Sequence, residues 1–529
     1  MKVPTEMRAA GSSRLRWVLV SAVVTQLMIV LDMTVIAIAL PHMQQDLAMS
    51  AEQRPWVVTG YSLAFGGLVL FGGKICAVIG IRRSYLTGLI GFAGASMVAG
   101  LAPSFLVLVT ARAVQGVFGA LLAPTTLALV NVTFTERTAR GRAFAVLGAT
   151  GGVGAAVGLL LGGALTEGLS WRWSLYVNVG IAALAFMAGL RSLHAANQRD
   201  PSARLGDDIL GLILGCGSVF CLVYGLDQAQ QYDWSSARAI SWLAVGGTAL
   251  FLFVLREHFA AKPVLPLWVV AHPARSASYA TQFIVGAGQM GAIIYLTYYF
   301  QDHFGYSPLK TGVVFLPMIG ALILTAAFAG RFIVPRLGAR FLFPAGLTVQ
   351  AAAFALFARI ELDSTYQQVA LPGLIVYGIG IGLTMPVVFN AGTRGVPERQ
   401  ASLASAVLNT AQQIGSSFGV AFLATYATHS VQDYVASHTE GLKIEIAQAL
   451  TTAKVTPASP SGEVIVRRLT AVISAHAQIA AYSSGFALFA WIFIVAAAIM
   501  TIAATTLTIT MARSRGRLAV RQPAVKRPA

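Results

Sequence analysis

The sequence predicts an all-α polytopic membrane protein, and three features of composition and patterning carry that prediction. Of its 529 residues, 56% are hydrophobic and only 11% are charged, whereas a soluble chain carries about 25% charged residues. Apolar stretches of about 20 residues, long enough to cross a bilayer, recur along the whole length. Glycine is abundant at 52 residues, as expected where helices pack closely in lipid. We therefore expect the lipid bilayer to cover much of the surface.

The apolar stretches predict fourteen transmembrane helices. The first contains Asp32 and is long enough to span, so we interpret it as a retained helix rather than a cleaved signal peptide. The predicted spans lie near residues 17–40, 56–79, 84–102, 105–131, 143–166, 173–191, 209–229, 238–255, 278–301, 311–330, 341–358, 368–391, 402–426 and 482–510.

The basic excess of the chain is explained by membrane topology. The formal net charge is +17, with 37 Lys and Arg residues against 20 Asp and Glu residues. If the N-terminus is cytoplasmic, most of the basic residues fall in cytoplasmic loops and tails, which is the positive-inside pattern. An even number of helices then places both termini in the cytoplasm. We expect a multi-pass protein of the cell (inner or plasma) membrane, and no nucleic-acid partner.

The loops divide the chain into two bundles with an insertion between them. Related basic glycine loops near residues 73–83 and 330–340 support two repeated halves, a common plan of transporters. A long outer loop, residues 427–480, with a short amphipathic helix expected near 441–453, is either a lid or a variable loop. The predicted parts are a cytoplasmic N-terminal tail (1–16), an N-terminal six-helix bundle (17–191), a cytoplasmic linker with two inserted transmembrane helices (192–256), a C-terminal six-helix bundle (257–510) and a basic cytoplasmic tail (511–529).

Two ionised side chains are predicted well inside the spans: Asp32 in the first helix and Arg112 in the fourth. A rise of about 1.5 Å per residue places both roughly 10–12 Å below the outer boundary, so they can pair. A charge buried in the bilayer needs a partner or a water-filled cavity. A carboxylate that takes up a proton as its surroundings change is what a proton-coupled carrier requires. The alternative is a static ion pair that only fixes helix packing.

Polar and aromatic side chains in the apolar helices are candidates for a substrate cavity. Aromatic rings with a few amides suit flat, amphipathic or cationic solutes. Tyr298 and Tyr299, near the end of a span, are instead expected to be interfacial anchors. The cavity candidates are Thr34, Tyr61, Gln115, Tyr295, Gln301, Asn390, Asn409, Gln412 and Gln413.

The fifth helix carries glycines at helical spacing, Gly154, Gly158 and Gly162, followed by Gly163. Such a face lets another helix approach at backbone distance. Two interpretations stay open at this point. The face is either an interface that slides as the two halves move, or a site of tight static packing.

Other classes of function find little support. Cys76, Cys216 and Cys221 lie in or beside apolar spans, where neither a disulfide framework nor a metal site is plausible. No phosphate-binding glycine loop precedes a Lys-Ser/Thr pair, so ATP is not the expected energy source. The histidines are scattered, which argues against a membrane-embedded transferase. We expect no enzyme activity and no cofactor.

Several motifs resemble the fourteen-helix drug:proton antiporter branch of the major facilitator superfamily. The resemblance runs from about residue 17 to about residue 510, apart from the long outer loop. Its motifs occur in the family's order: residues 31–41 (LDMTVIAIALP), 112–120 (RAVQGVFGA), 170–173 (SWRW) with Asn178, and Gln301 through 305–309 (GYSPL).

The resemblance implies the major facilitator fold with 14 transmembrane helices and a rocker-switch exporter of small amphipathic molecules, such as drugs, in exchange for protons. It implies proton coupling through Asp32 and Arg112 and a conformational role for the helix-five glycines. It also assigns a cytoplasmic gate to Gly73, Gly80, Arg82 and Arg83. Three positions depart from the family pattern: Ala77 and Val78 replace the loop Asp and the basic residue after it, and Leu159 replaces the helix-five Pro. Export of a self-made metabolite and a non-transporting sensor are the alternatives; the cargo and any protein partners stay open.

Overall fold

The computed structural model describes residues 5–50, 53, 56–192, 208–333, 339–397, 401–453, 457 and 459–520. This part of the chain is almost entirely helical. Its α-helices are α1 (Thr5–Asp46), α2 (Trp56–Ile79), α3 (Ile81–Gly100), α4 (Phe105–Thr133), α5 (Arg137–Gly168), α6 (Trp173–Ser192), α7 (Ile209–Tyr232), α8 (Ala237–Phe259), α9 (Leu267–Ala271), α10 (Pro273–Tyr298), α11 (Pro308–Val314), α12 (Leu316–Phe328), α13 (Ala339–Phe357), α14 (Leu371–Thr393), α15 (Ala401–Ala453) and α16 (Pro460–Val520).

Three short π-helical turns lie at the ends of these helices. Tyr299–His303 continues α10, Ala329–Ile333 continues α12, and Tyr366–Ala370 leads into α14. The wider turn adds a residue to the helical repeat and changes which side chains face a neighbour.

Each of the predicted spans falls on a helix, or on the adjoining pair α11 and α12. Among the described residues, 10 helical segments are long and apolar enough to cross a membrane. The prediction of a multi-pass, all-helical membrane protein is therefore confirmed. The number fourteen stays a prediction, because helices such as α3 and α5 are diluted by glycine and polar residues.

The region predicted as a long outer loop, residues 427–480, is mostly helix. Helices α15 and α16 run through it to Ala453 and from Pro460. A helix near residues 441–453 is therefore present, but helix extends well beyond those bounds, because Ala, the strongest helix former, recurs through a segment otherwise rich in Ser and Thr. Residues 193–207 of the predicted linker and the repeat-loop residues 334–338 lie outside the described part of the chain.

Two apolar cores organise the helices. One joins side chains of α1–α6, among them Phe65, Tyr85 and Phe92. The other lies in α10–α16 and is rich in aromatic residues, including Phe354 and Phe486. We call these sets of helices the N-terminal half and the C-terminal half. The cores form because each helix buries one apolar side against its neighbours within the same half.

Contacts between the halves run along two seams. Helix α2 packs against α15, and α5 packs against α11, α12 and α14. The inserted pair α7 and α8 stands beside the first seam, where α7 contacts both α2 and α15. The inserted helices thus touch both halves.

The connection between α2 and α3 is a single residue, Gly80, whose φ of 91° lies in the left-handed region. A side chain is strained at that angle, so glycine permits the abrupt reversal. About two turns earlier, Gly72 lets α2 approach α4, because a Cβ atom at that position would lie 2.2 Å from the Ala120 carbonyl oxygen. Both glycines bring the C-terminal half of α2 against its neighbours.

A buried carboxylate cluster as the candidate transport site

Four helices of the N-terminal half bring polar side chains together inside an otherwise apolar bundle. Asp32 of α1 and Arg112 of α4 meet there with Ser96 of α3, Gln115 of α4 and Asn178 of α6. We call these five residues the carboxylate cluster. Asp32 is 0% exposed and Arg112 is 1% exposed, so both charges are removed from solvent.

Both carboxylate oxygens of Asp32 accept hydrogen bonds. Arg112 Nη1 donates to Oδ2 at 2.6 Å. Gln115 Nε2 and Asn178 Nδ2 donate to Oδ1 at 2.8 and 2.6 Å. Three donors, one of them charged, offset the cost of burying an ionised carboxylate. The predicted pairing of Asp32 with Arg112 is present in the structure.

Arg112 is held by more than the carboxylate. Its Nη1 also donates to Gln115 Oε1 at 2.6 Å, and its Nε donates to the Val57 carbonyl at 3.3 Å. The guanidinium lies over the ring of Tyr61, 4.6 Å from the ring centre. This cation–π contact adds stabilisation at a desolvated site. Tyr61 therefore closes one side of the cluster.

Ser96 joins the amide side chains to the backbone. Its Oγ accepts from Gln115 Nε2 at 3.3 Å and from Asn178 Nδ2 at 3.2 Å, and donates to the Leu175 carbonyl at 2.9 Å. These bonds orient both amides so that their NH₂ groups point at Asp32. In the sequence Asn178 is a motif residue with no assigned role, whereas Ser96, a serine among small residues, carries no signal.

This arrangement ties the charge of Asp32 to the packing of α1 against α4 and α6. Protonating Asp32 would remove the negative charge that Arg112 faces and would leave a buried guanidinium without its counter-charge. Breaking a buried ion pair in this way costs about 3–5 kcal/mol unless the surroundings rearrange. The cluster is therefore stable in one charge state and strained in the other.

The predicted cavity residues do not converge on one site. Tyr61 and Gln115 lie at the carboxylate cluster. Thr34 instead packs against α5 and donates to the Leu31 carbonyl at 3.0 Å. Tyr295 packs in the C-terminal core, with its ring centre 5.2 Å from that of Tyr482. The prediction that Thr34 and Tyr295 line a shared cavity is wrong in this structure, because neighbouring helices cover both side chains.

The remaining candidates of the C-terminal half are dispersed. Asn390 is exposed on α14, and Gln301 is half-buried in the π-helical turn after α10. Asn409 donates to its own helix at the Ser405 carbonyl, 2.9 Å away. Gln412 is half-buried and Gln413 is buried; Gln413 faces α2 at Gly66.

The helix-five glycines face α1, within the same half. A Cβ atom at Gly154, Gly158 or Gly162 would lie 3.1 Å or less from an atom of α1, the closest being Thr34 Oγ1 at 1.9 Å from Gly158. The interpretation of this stripe as an interface between the halves is therefore wrong in this conformation. Gly163 is buried beside it.

The assigned cytoplasmic gate residues lie around the α2–α3 turn. Gly73 is buried in α2 and Gly80 forms the turn, while Arg82 is half-buried and Arg83 is exposed. No ion pair of either arginine occurs among the described residues. That fits the absence of an Asp at position 77.

More charged side chains are buried than the sequence indicated. The prediction of two charges well inside the spans is not contradicted, because the further buried ones lie near the ends of the predicted spans or beyond them. The positions missed lie near predicted span ends, where a charge is readily taken for a loop residue. They are Lys74, Asp208, Asp227, Glu257 and Arg275.

At the end of α1, an ion pair ties three connections of the N-terminal half together. Asp46 accepts from Arg172 Nη1 at 2.5 Å and from Trp171 Nε1 at 2.9 Å. The Arg172 hydrogen bond is the main cause that lowers the pKa of Asp46, followed by the Trp171 bond. Arg172 also donates to the Ala102 carbonyl at 3.3 Å. The SWRW motif is therefore a clamp between α1, the α3–α4 loop and the α5–α6 loop.

Comparison with known proteins decides the family. The sequence model described as Major Facilitator Superfamily matches residues 22–420. The chain belongs to the major facilitator superfamily. It is therefore a multi-pass membrane transporter.

Relatives within the superfamily are antibiotic resistance and export proteins. The puromycin resistance protein pur8 of Streptomyces alboniger is 43% identical over 441 residues, covering 82% of this chain and 87% of that protein. The cephamycin export protein CmcT of Amycolatopsis lactamdurans is 34% identical, covering 79% and 86%. The tetracenomycin C resistance and export protein of Streptomyces glaucescens is 32% identical, covering 78% and 76%.

Solved structures of distant superfamily members share the fold. The crystal structure of the human organic anion transporter MFSD10 (TETRAN) has a TM-score of 0.57 at 15% identity, covering 90% of this chain and 99% of that one. A bacterial homologue of the human lysosomal transporter Spinster, in an inward-facing and unoccupied conformation, gives 0.54 at 16% identity, covering 93% and 97%.

Proposed function

We propose that this protein exports small amphipathic molecules of the antibiotic type across the cell membrane, driven by proton entry. The observation that carries the proton step is the carboxylate cluster, a buried acid in the transport fold whose ionised form is fully hydrogen-bonded. Resistance and export relatives support efflux as the direction of transport. A proton gradient then serves as the energy source, and no cofactor is required.

In this proposal, Asp32 is the proton carrier and Arg112 is a positioning residue. With Asp32 ionised, the ion pair holds α1 against α4. When Asp32 takes up a proton, Arg112 loses its counter-charge, and the hydrogen bonds among α1, α4 and α6 must change. Substrate binding and proton binding then favour opposite orientations of the two halves, which is the linkage that alternating access needs.

The proposed topology places both termini in the cytoplasm of a cell-membrane protein. The positive-inside distribution of Lys and Arg supports it. The Asp46–Arg172 clamp then lies on the outer side, and the Gly80 turn lies on the cytoplasmic side.

The test is transport in proteoliposomes with an imposed pH gradient. The substrate is puromycin, chosen because a relative with 43% identity is a puromycin resistance protein. Parent protein is expected to accumulate it against its gradient, whereas Asp32→Asn is expected to lose at least about 90% of gradient-driven uptake, because the amide cannot take up the proton.

Asp46→Asn is the matched control, because it removes an acid on the same helix that is outside the span and half-exposed. It should retain most gradient-driven transport. Gradient-driven accumulation by Asp32→Asn at the parent rate would refute the proposed coupling.

The origin of the cargo is a separate question, because the names of the relatives include both resistance and export. Accumulation assays on cells lacking or overproducing the protein, with and without a protonophore, distinguish a foreign antibiotic from a self-made metabolite as the cargo. A foreign antibiotic and an extract of the cells that contain the protein are supplied in parallel. An endogenous metabolite retained only in cells lacking the protein would identify a self-made cargo.

A further inference from the structure

The inserted helix α7 carries a buried acid that the proposed transport mechanism does not use. Asp227 is 9% exposed and lies within the membrane-spanning stretch of α7. Its carboxylate accepts from Thr59 Oγ1 of α2 at 2.8 Å and from Gln231 Nε2 at 3.0 Å. Both donors are neutral, and Asp227 forms no ion pair within the described residues. Unlike Asp32, it has no counter-charge there.

A cleft opens one side chain away from this acid, with the Gln231 side chain between them. It has a volume of about 360 Å³, within the range of about 300–1,000 Å³ typical of small-molecule sites. It lies where the α1–α2 loop and the starts of α2 and α4 meet the end of α7. We call it the α7 cleft, and it is lined by Gln53, Trp56, Phe105, Val109, Gln231 and Tyr232.

Two residues connect the cleft to Asp227. Gln231 lines the cleft and also holds the carboxylate through its amide nitrogen. On α2, Trp56 lines the cleft one turn before Thr59, the other hydrogen-bond donor to Asp227. A ligand in the cleft would thus lie against aromatic rings and amides, about one side chain away from an uncompensated negative charge.

We propose that the α7 cleft binds an amphipathic organic cation, with Asp227 as its counter-charge and Trp56 and Phe105 as its aromatic wall; the ring of Tyr232 already carries the Arg238 guanidinium, 4.7 Å from its centre. Aromatic faces attract organic cations, and they do so more strongly when solvent is excluded. A buried carboxylate without a cation is costly in a membrane protein, so a positively charged ligand lowers the energy of the site. This site is distinct from the carboxylate cluster and does not depend on proton coupling.

The test uses tetraphenylphosphonium, a permanent aromatic cation with no titratable proton. Binding to the purified full chain in phosphatidylcholine nanodiscs is measured by equilibrium dialysis, with empty nanodiscs subtracted. Asp227→Asn is expected to weaken binding about fivefold or more, because the counter-charge is lost. Asp227→Glu keeps the charge and should keep most of the affinity.

Matched controls separate the charge effect from a structural one. Asp233→Asn removes an acid six residues away, one that is about one-third exposed and paired with His429, and should change the affinity less than twofold. Neutral triphenylphosphine oxide should bind equally to the parent and to Asp227→Asn. Trp56→Leu removes part of the aromatic wall without altering the acid, and should also weaken binding of the cation.

Parent-level tetraphenylphosphonium binding in Asp227→Asn would overturn the proposal. So would equal losses for the neutral and the charged probe in correctly folded Asp227→Asn, because the acid would then not act through its charge. Loss of binding in Asp32→Asn with full binding in Asp227→Asn would place the cation in the carboxylate cluster instead. Because binding is measured without a gradient, failure of the proton-coupling proposal leaves this result unaffected.

Discussion

At the scale of single residues, the central feature is that the buried carboxylate of Asp32 has hydrogen-bond donors at both of its oxygens. Asp32 accepts three hydrogen bonds from side chains of α4 and α6. In a low-dielectric interior such a network is worth more than its separate contacts, and it is costly when only partly satisfied. Asn178 and Ser96 matter because they aim the amide donors. Any change of charge at Asp32 therefore alters hydrogen bonds that join three helices, α1, α4 and α6.

We predict that Arg112→Met lowers thermal stability strongly, whereas adding Asp32→Asn recovers much of the loss. The single substitution leaves a buried carboxylate without its charged partner, at a cost of about 3–5 kcal/mol. The double substitution removes both charges and leaves neutral groups of similar size. Thermal unfolding in detergent, followed by fluorescence-detected size exclusion, measures both variants.

The order of stabilities decides this prediction. The double variant should unfold at a higher temperature than Arg112→Met alone, and neither should show proton-driven transport. Equal unfolding temperatures for the two variants would mean that the ion pair contributes little to holding α1 against α4.

At the scale of helices, the glycine stripe of α5 sets the distance between α5 and α1. Gly154, Gly158 and Gly162 recur every four residues, so they form one face of the helix. Each lies against the α1 turn that contains Val30, Thr34 or Val35. Asp32 lies on that segment of α1, so the stripe helps to position the acid. Leu159, where the family pattern has Pro, leaves α5 a continuous helix.

We predict that Gly158→Ala destabilises the protein by about 1–3 kcal/mol, because the new methyl group overpacks the α1–α5 contact. Its Cβ would lie 1.9 Å from Thr34 Oγ1 and 3.1 Å from the Leu31 carbonyl oxygen. Adding Thr34→Ala should restore part of the loss by removing the closer contact. The measurement is the thermal unfolding temperature of each purified variant.

Gly151→Ala is the matched control on the same helix, because a Cβ there meets nothing within 4 Å. Alanine is the better helix former by about 1 kcal/mol, so this variant should be neutral or slightly more stable. If Gly158→Ala behaves like Gly151→Ala, then α1 and α5 are not in close contact in the folded protein.

At the scale of the whole molecule, two halves meet along the α2–α15 and α5–α11/α12/α14 seams, and the inserted pair bridges them. Helix α7 bonds to the N-terminal half through Asp227 and Thr59. It bonds to the C-terminal half where Thr425 donates to the Ala229 carbonyl at 3.3 Å. Rocking of one half against the other must change at least one of these contacts.

We predict that a disulfide between Gly66→Cys and Gln413→Cys arrests transport. A Cβ atom at Gly66 would lie 3.7 Å from the Gln413 Cβ, which is the separation that disulfides prefer. The bond would join α2 to α15 and hold the two halves together at this seam. The background carries Ser in place of Cys76, Cys216 and Cys221, so that no other disulfide forms.

Oxidised protein should lose most of its transport, and a reductant should restore it to the level of the reduced double variant. Each single-cysteine variant, treated with the same oxidant, serves as the control. Full transport by cross-linked protein would show that this seam stays closed throughout the cycle.

The sequence by itself determined the membrane class, the helical architecture and the pairing of Asp32 with Arg112. These follow from local quantities: the length of apolar stretches, the rarity of charge within them and the rise of a helix, which places the two charges at one depth. The family motifs added the transporter fold. Each of these features can be predicted from single segments, because it depends only on the length, composition or residue spacing of one helix.

Only the tertiary structure decided which helix faces which. It turned the α5 glycines toward α1, buried Tyr295 in the C-terminal core, assembled Asn178 and Ser96 around Asp32, and revealed Asp227 beside the α7 cleft. These outcomes depend on the rotation of each helix about its axis, which packing against several neighbours sets and no single segment encodes. A helical segment identifies its own polar face, whereas the partner of that face depends on the whole bundle.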